Sequence, residues 1–157
     1  MLGAFINPRG YALDKVKNVK RLGIFPKAIY EFRLKKNAPL TFEMPDGTRY
    51  RPDQHLAETD MGSTPASLQL FLPKDEFLLS YIFHDSGYHH HGLYKKGPHG
   101  HTYVFHDMSR KDVDKLCLRR MIKVEGGGRI KVGLIYRLVR LCGGGPWKAG
   151  HAPDVVV

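Results

Sequence analysis

Three side chains capable of acid–base or ligand chemistry lie on two segments with helical patterns. His84 and Asp85 follow the mostly apolar run 77–83, and Asp114 stands beside the apolar seam of residues 109–125. If the two helices pack antiparallel, Asp114 can accept a hydrogen bond from one ring nitrogen of His84, which leaves the other nitrogen to take a proton from water. This pattern predicts a base and its orienting carboxylate. A His–Asp pair that only ties two helices together is the alternative.

Two aspartates are candidate metal ligands. Asp85 lies about 100° round the helix axis from His84 and could hold a hard cation together with loop oxygens. Asp60 lies in a polar, glycine-containing segment and could be a second ligand, although it could equally brace the turn that leads to Pro65. The expected ligand is a hard divalent cation.

Histidine is concentrated in one part of the chain, since seven of the nine histidines lie between positions 84 and 106. The His99-x-His101 pair could place two imidazoles on one face and bind zinc. No cysteine or carboxylate completes a recognised zinc spacing, so this region is interpreted as a solvated loop or irregular hairpin.

The elements that must position these residues indicate an α+β fold, with a small N-terminal antiparallel β-sheet followed by about three packed α-helices. Residues 28–34, 40–44 and 49–52 have strand patterns, and the dipeptide Asp46-Gly47 predicts a tight hairpin between the last two. Helices are predicted over 77–88, 109–125 and 129–142, with a shorter one over 66–71. Ser109 and Asp112 form a capping-box pattern at the start of the second main helix.

The 157 residues are divided into an N-terminal extension (1–26), a single globular α+β domain (27–147) and a C-terminal tail (148–157). No signal peptide and no apolar run of transmembrane length is visible. Cys117 and Cys142 lie in apolar helical patterns without zinc or redox spacing, and a bridge between them stays open.

The chain is basic, with 25 Lys and Arg against 15 Asp and Glu and a formal net charge of +10. This charge favours a polyanionic partner, which could be nucleic acid, an acidic membrane surface or an acidic protein. The segment of Asp114 carries a basic face that includes Arg110. No nucleic-acid-binding motif accompanies it, and a solvated face is the alternative.

Several separated motifs occur in a fixed order. They are Thr59-Asp60-x-x-Ser63-x-Pro65, His84-Asp85-x-x-Tyr88, Ser109-Arg110-x-x-x-Asp114 with Met121, Tyr136, and Gly145-Pro146-Trp147. This order resembles a family of phages and prophages, the domain of unknown function one-three-five-three, over about residues 28–147. The resemblance implies a phage-related origin without an assigned activity. Ser63, in the polar segment of Asp60, and Arg110, on the basic face, are further polar site candidates.

The pattern His84-Asp85-x-x-Tyr88, followed by Asp114 on the next helix, is also similar to the secreted and parvoviral phospholipases that cleave the sn-2 ester. The similarity implies that His84 is a general base, that Asp85 binds calcium, that Asp114 orients the histidine, and that Tyr88 belongs to the same site. Those enzymes carry a glycine-rich calcium loop where this chain has only Asp60-Met-Gly-Ser, and their set of disulfides is absent here.

Three hypotheses for the function follow. The first is a phage-encoded, metal-assisted hydrolase acting on lipid or cell wall of the host envelope. The second is a virion or tail-assembly protein that contacts other phage structural proteins through residues 1–26. The third is a basic accessory protein that binds nucleic acid or blocks host defence. The expected location is the host cytoplasm during infection or the phage particle.

Overall fold

The computed structural model describes residues 3–19, 27–59 and 74–150, which form an α+β fold. Its strands belong to two antiparallel sheets. In chain order they are β1 (Ala4–Ile6), β2 (Tyr11–Val19), β3 (Lys27–Leu34), β4 (Thr41–Glu43), β5 (Arg49–Arg51), β6 (His55–Thr59), β7 (Gly92–Lys96) and β8 (Val104–Asp107). The predicted fold class is therefore confirmed.

The two sheets have the strand orders β1-β4-β5-β7-β8 and β2-β3-β6. The hairpin between β4 and β5 turns at the predicted dipeptide, where Gly47 has a φ of +81° and the Thr48 amide donates to Asp46 Oδ1 at 2.9 Å. Glycine is favoured at a positive φ because it carries no Cβ. Phe42 pairs with Tyr50 in this hairpin, which joins two of the predicted strands.

The helices follow and partly interrupt the sheets. A 3-10 turn, Lys74–Phe77, leads into α1 (Leu78–His90). A continuous helical run over 110–124, here called the composite helix, consists of α2 (Arg110–Asp114), a π-helical segment (Lys115–Met121) and α3 (Ile122–Val124). The last helices are α4 (Arg129–Cys142) and α5 (Gly144–Ala149).

The first helix and the composite helix pack antiparallel, as predicted. At the start of α1, the amides of Leu79 and Ser80 donate to the carboxylate of Glu125 at 3.0 and 2.9 Å, just beyond the C-terminal end of the composite helix. Near the end of α1, a Cβ added at Gly87 would lie 2.6 Å from a methyl carbon of Val113. The missing side chain at Gly87 thus allows the close approach that brings the candidate site together.

The apolar core lies between the sheets, α1 and the composite helix. One buried cluster joins strand residues such as Phe32 and Phe42 to Phe83 and Cys117, and a second joins Tyr81 and its neighbours to the inner face of α4. Cys117 is buried and Cys142 is exposed, and both are free thiols. None of the helices within the described ranges has the length and hydropathy that a membrane span requires.

Several features differ from expectation. The expected extension, residues 1–26, contains β1 and β2, which pair with β4 and β3. The sheet is also not confined to the N-terminal part, because β7 and β8 follow α1 and complete the larger sheet. The segment after His89, expected to be a loop or irregular hairpin, forms the hairpin of β7 and β8. Helix α1 extends two residues beyond its predicted end. The predicted helix over 66–71 lies outside the described residues.

Candidate functional site

The predicted pair of His84 and Asp114 forms in the structure. His84 Nε2 lies 2.9 Å from Asp114 Oδ1, and because a carboxylate oxygen accepts, this ring nitrogen carries the proton and donates. Asp114 is fully buried, whereas His84 keeps 6% of its surface exposed. Solvent can therefore reach part of the histidine but not the carboxylate that orients it.

Tyr88 joins the pair one helical turn after His84. Its hydroxyl donates to Asp114 Oδ1 at 2.8 Å, and its ring lies 4.1 Å from the imidazole, centroid to centroid. The spacing of four residues puts both side chains on one face of α1. One oxygen of Asp114 thus receives two hydrogen bonds, which fix the imidazole in one tautomer and one orientation.

Two arginines complete the network from outside α1. Arg140 on α4 donates from Nη1 to Asp114 Oδ2 at 2.9 Å, and Arg110 donates from Nε to the Tyr88 hydroxyl at 2.9 Å. Both oxygens of Asp114 are therefore occupied, and the buried carboxylate has a cationic partner. Helical periodicity over 129–142 places Arg140 on the solvent side of the helix, so the sequence pattern does not predict this contact. The signal that could have found it is the cost of burying an aspartate without a cation.

The network shifts the ionisation of its members. Burial would lower the pKa of His84, but the hydrogen bond to Asp114 and the nearby Asp85 raise it above the usual value. Burial would raise the pKa of Asp114, but His84, with Arg140 and Tyr88, holds it below the usual range. Burial also raises the pKa of Tyr88, so its hydroxyl is a neutral donor. The buried carboxylate is consequently ionised and the imidazole readily accepts a proton.

Arg110 has a second role, because it ties the site to the C-terminal end of α4. Its Nη2 donates to the backbone carbonyls of Val139 and Arg140, both at 2.8 Å. These carbonyls belong to the last turn of a helix, where partners are missing and a cation is favoured. A Cβ at Gly143 would lie 2.8 Å from the Tyr88 hydroxyl and 3.0 Å from Arg110 Nη2. Glycine at this position makes room for the network.

Trp147 closes the network on the side of α5. Its ring packs edge-on against Tyr88 with centroids 5.2 Å apart, and it stacks on His91 at 4.4 Å. The backbone carbonyl of Trp147 accepts a hydrogen bond from His91 Nε2 at 2.7 Å. The motif residue Trp147 is thereby brought next to the predicted site.

The predicted cation ligands are only partly placed. Asp85 Oδ1 lies 4.0 Å from His84 Nδ1, and the Asp85 side chain is 15% exposed. Asp60 and Ser63 lie outside the described residues. Within the described ranges, no cluster of three or more His, Cys, Asp or Glu side chains could hold a metal ion. The described residues therefore place one of the two predicted cation ligands, Asp85, at the site, and the calcium or zinc ion stays a prediction.

The remaining histidines do not form a metal cluster in the described part of the chain. His90 is buried at the end of α1, where its Nε2 lies 2.7 Å from Asp53 Oδ2. This contact holds the pKa of Asp53 below its usual range, although burial acts in the opposite direction. His99 and His101 are exposed between β7 and β8, as expected for a solvated turn.

The geometry allows one kind of chemistry in particular. The Nε2 atom of His84 is engaged by Asp114, so proton transfer with a bound water would take place at Nδ1, on the side of Asp85. An imidazole held by a buried carboxylate is the arrangement of a general base. The same contacts also join α1, the composite helix and α4 into one unit.

The chain was compared with family models, with curated proteins and with solved structures, and none of the three comparisons finds a match. The two resemblances seen in the sequence therefore stay predictions, and the case for a function depends on the geometry of the site.

Proposed function

We propose that this chain is a phage-encoded hydrolase that cleaves an ester or similar bond in the lipid or cell wall of a host envelope, with His84 as the general base. The observation that carries the proposal is the pairing of His84 Nε2 with the buried carboxylate of Asp114, on the oxygen that also accepts the Tyr88 hydroxyl. The phage origin is supported only by the order of the sequence motifs.

The reaction begins with a water molecule next to His84 Nδ1. This nitrogen takes a proton from the water, and the resulting hydroxide attacks the carbonyl carbon of the ester. The imidazolium then returns the proton to the leaving alkoxide, so that an acid and an alcohol are released. Asp114 stabilises the imidazolium, and Arg140 keeps Asp114 ionised. No step passes through a cation, because the described residues do not assemble a ligand set.

The test uses vesicles that contain phosphatidylglycerol and phosphatidylethanolamine, and isolated peptidoglycan, with mass spectrometry of the products. In the variant His84→Gln, the side-chain amide can still donate to Asp114, but the base at Nδ1 is lost. We expect the hydrolysis rate to fall by about 100- to 10,000-fold, which is the usual contribution of a general base. His99→Gln, at an exposed position outside the site, is the matched control and should retain full activity.

The result is decisive when folding is measured in parallel. Unchanged far-UV circular dichroism with lost hydrolysis in His84→Gln supports catalysis. Absence of hydrolysis of both materials by the unaltered chain, or equal rates for His84→Gln and the unaltered chain, would remove the proposal.

The second candidate is a virion or tail-assembly protein in which the same network is purely structural. The observation in its favour is the occupation of both Asp114 oxygens by donors from α1 and α4, at a site that is almost completely buried. This candidate predicts that the protein copurifies with phage particles and hydrolyses neither material. Deletion of residues 1–26 is a poor test, since it would remove β1 and β2 from their sheets.

A further inference from the structure

The outward face of α4 exposes an unusual set of apolar side chains. Ile130 is 90% exposed, Leu141 is 81% exposed and Leu134 is 47% exposed. At about 100° per residue, the three positions fall within about 40° of arc, so they form one stripe along the helix. Val132 and Ile135 point the other way, into the core. The stripe is therefore additional to the face that packs the helix onto the protein.

Basic side chains border this stripe on one side. Arg137 lies about 20° outside its arc and Arg129 about 100° outside it, and both are exposed. On the neighbouring composite helix, exposed Arg119 lies with its guanidinium 4.4 Å from the ring centroid of Tyr136 on α4. The sequence of α4 contains four basic residues and no acidic residue. The surface is thus apolar along the stripe and positive along one edge.

We propose that this face of α4, called here the α4 face, docks the protein onto an anionic lipid surface. A helix with projecting aliphatic side chains and a cationic border is the usual form of an element that lies in the plane of a membrane interface. Ile130 and Leu141 are about 16 Å apart along the axis, so both can enter one flat surface when the helix lies parallel to it. Basic side chains along this edge then face the anionic headgroups.

Charge argues against a second copy of the chain as the occupant. Two α4 faces placed against each other would bring arginines of both copies together without an acidic partner on either helix, and such like-charge contacts are unfavourable. The inference goes beyond the proposed hydrolase, because docking requires no bond to be broken. It also holds for the second candidate function.

The test is flotation of the full chain with vesicles of phosphatidylglycerol and phosphatidylcholine, compared with phosphatidylcholine alone. We expect binding to the anionic vesicles that weakens with salt and is much lower on phosphatidylcholine. The double variant Ile130→Ser/Leu141→Ser should bind about tenfold more weakly or worse, since two aliphatic side chains no longer enter the lipid. Arg129→Gln/Arg137→Gln should lower binding to anionic vesicles by about tenfold.

Matched controls come from exposed positions elsewhere. Val104 on β8 is 62% exposed, and Lys36 is exposed between β3 and β4. Val104→Ser and Lys36→Gln should each leave vesicle binding unchanged. His84→Gln should also bind normally, so a failure of the hydrolase proposal would not be mistaken for a failure of docking.

Three outcomes would overturn the inference. The first is no binding of the full chain to anionic vesicles at low salt. The second is equal binding by the full chain and Ile130→Ser/Leu141→Ser. The third is a dimer in light scattering that this double variant converts to a monomer, which would assign the α4 face to a second copy. Because both altered aliphatic residues are more than four-fifths exposed, the variant should remain folded.

Discussion

Replacing Asp114 by asparagine tests how strongly the buried network holds the helices together. The asparagine side chain is close in size to the aspartate and keeps one oxygen for His84 Nε2 and the Tyr88 hydroxyl. Its NH2 group would then face Arg140 Nη1, which donates to Asp114 Oδ2 in the native chain at 2.9 Å. The NH2 group and the Arg140 guanidinium would then oppose each other as two donors, and Arg140 would lose its negatively charged partner.

The size of the effect follows from burial. Removing one partner of a buried ion pair typically costs about 3–5 kcal/mol of unfolding free energy. Asp114 is completely buried, but the Arg140 side chain is 34% exposed and can be partly rehydrated. We therefore expect a loss near the lower end, about 3 kcal/mol, which corresponds to a melting temperature lower by about 6–12 °C for a chain of this length.

Urea denaturation measures this loss, and the protein provides its own probe. Trp147 is the single tryptophan, and it packs against Tyr88 inside the network, so its fluorescence reports on the site while circular dichroism reports on the helices. The control is Asp107→Asn at an exposed position on β8, which should change the unfolding free energy by less than about 0.5 kcal/mol. A loss below about 1 kcal/mol for Asp114→Asn would refute the view that the network fastens the helices.

Three further predictions follow from the same contacts. The fold raises the pKa of His84 above 6.5, so the protonated side chain stabilises the protein fully below pH 6.5, and this stabilisation is lost as the pH rises through the raised pKa. Hydrolysis needs the neutral base, so the rate should increase over the same pH interval. A rate that does not increase there would contradict the role of His84 as the base. Gly143→Ala should lower the unfolding free energy by about 1–3 kcal/mol, because the added methyl group crowds the Tyr88 hydroxyl. Thermal melts measure this loss. The control is Gly145→Ala, where an added Cβ meets nothing within 4 Å, and this variant should not be destabilised. Glu125→Gln should cost about 1–2 kcal/mol, because a carboxylate that caps the first turn of α1 becomes neutral, and urea titration that finds no change would remove this assignment.

The sequence was most informative where local pattern and packing agree. The helix over 129–142 was predicted with its observed bounds, because glycines flank an amphipathic run on both sides. Ser109 caps α2 as expected, with the Asp112 amide donating to its hydroxyl at 3.2 Å. The contact of His84 with Asp114 could be predicted because both are polar residues placed at the buried side of a helix, where each needs a partner.

The N-terminal strands were missed for a physical reason. The pairing of β2 with β3 shifts register between Lys15 and Lys17, so one extra residue interrupts the alternation on which strand prediction depends. Positive charges along the same segment further obscured the apolar positions. The later hairpin could be predicted only as an alternative to a loop, because most of β8 is exposed and shows no alternation of buried and exposed residues.

The arginines of the site could not be found from helical periodicity alone. Arg140 lies at the edge of the outward face of α4, and its long side chain bends back to reach Asp114. Arg110 was placed on a basic face and kept as a polar site candidate, but its contacts with Tyr88 and the end of α4 were not predicted. Periodicity places a Cα on one side of a helix, whereas the guanidinium at the end of a long arginine side chain can reach a partner on a different side.

The π-helical segment that begins directly after Asp114 determines how the later residues of the composite helix are rotated about its axis. A π turn contains one residue more than an α turn, so the segment Lys115–Met121 holds a surplus residue. If the segment closed as an α-helix without losing a residue, the later positions would rotate by about 100° relative to Asp114. Met121 and Ile122, both fully buried now, would then leave their places in the core. The π geometry is therefore what allows one helix to present an aspartate to His84 and still keep its far end in register with the core.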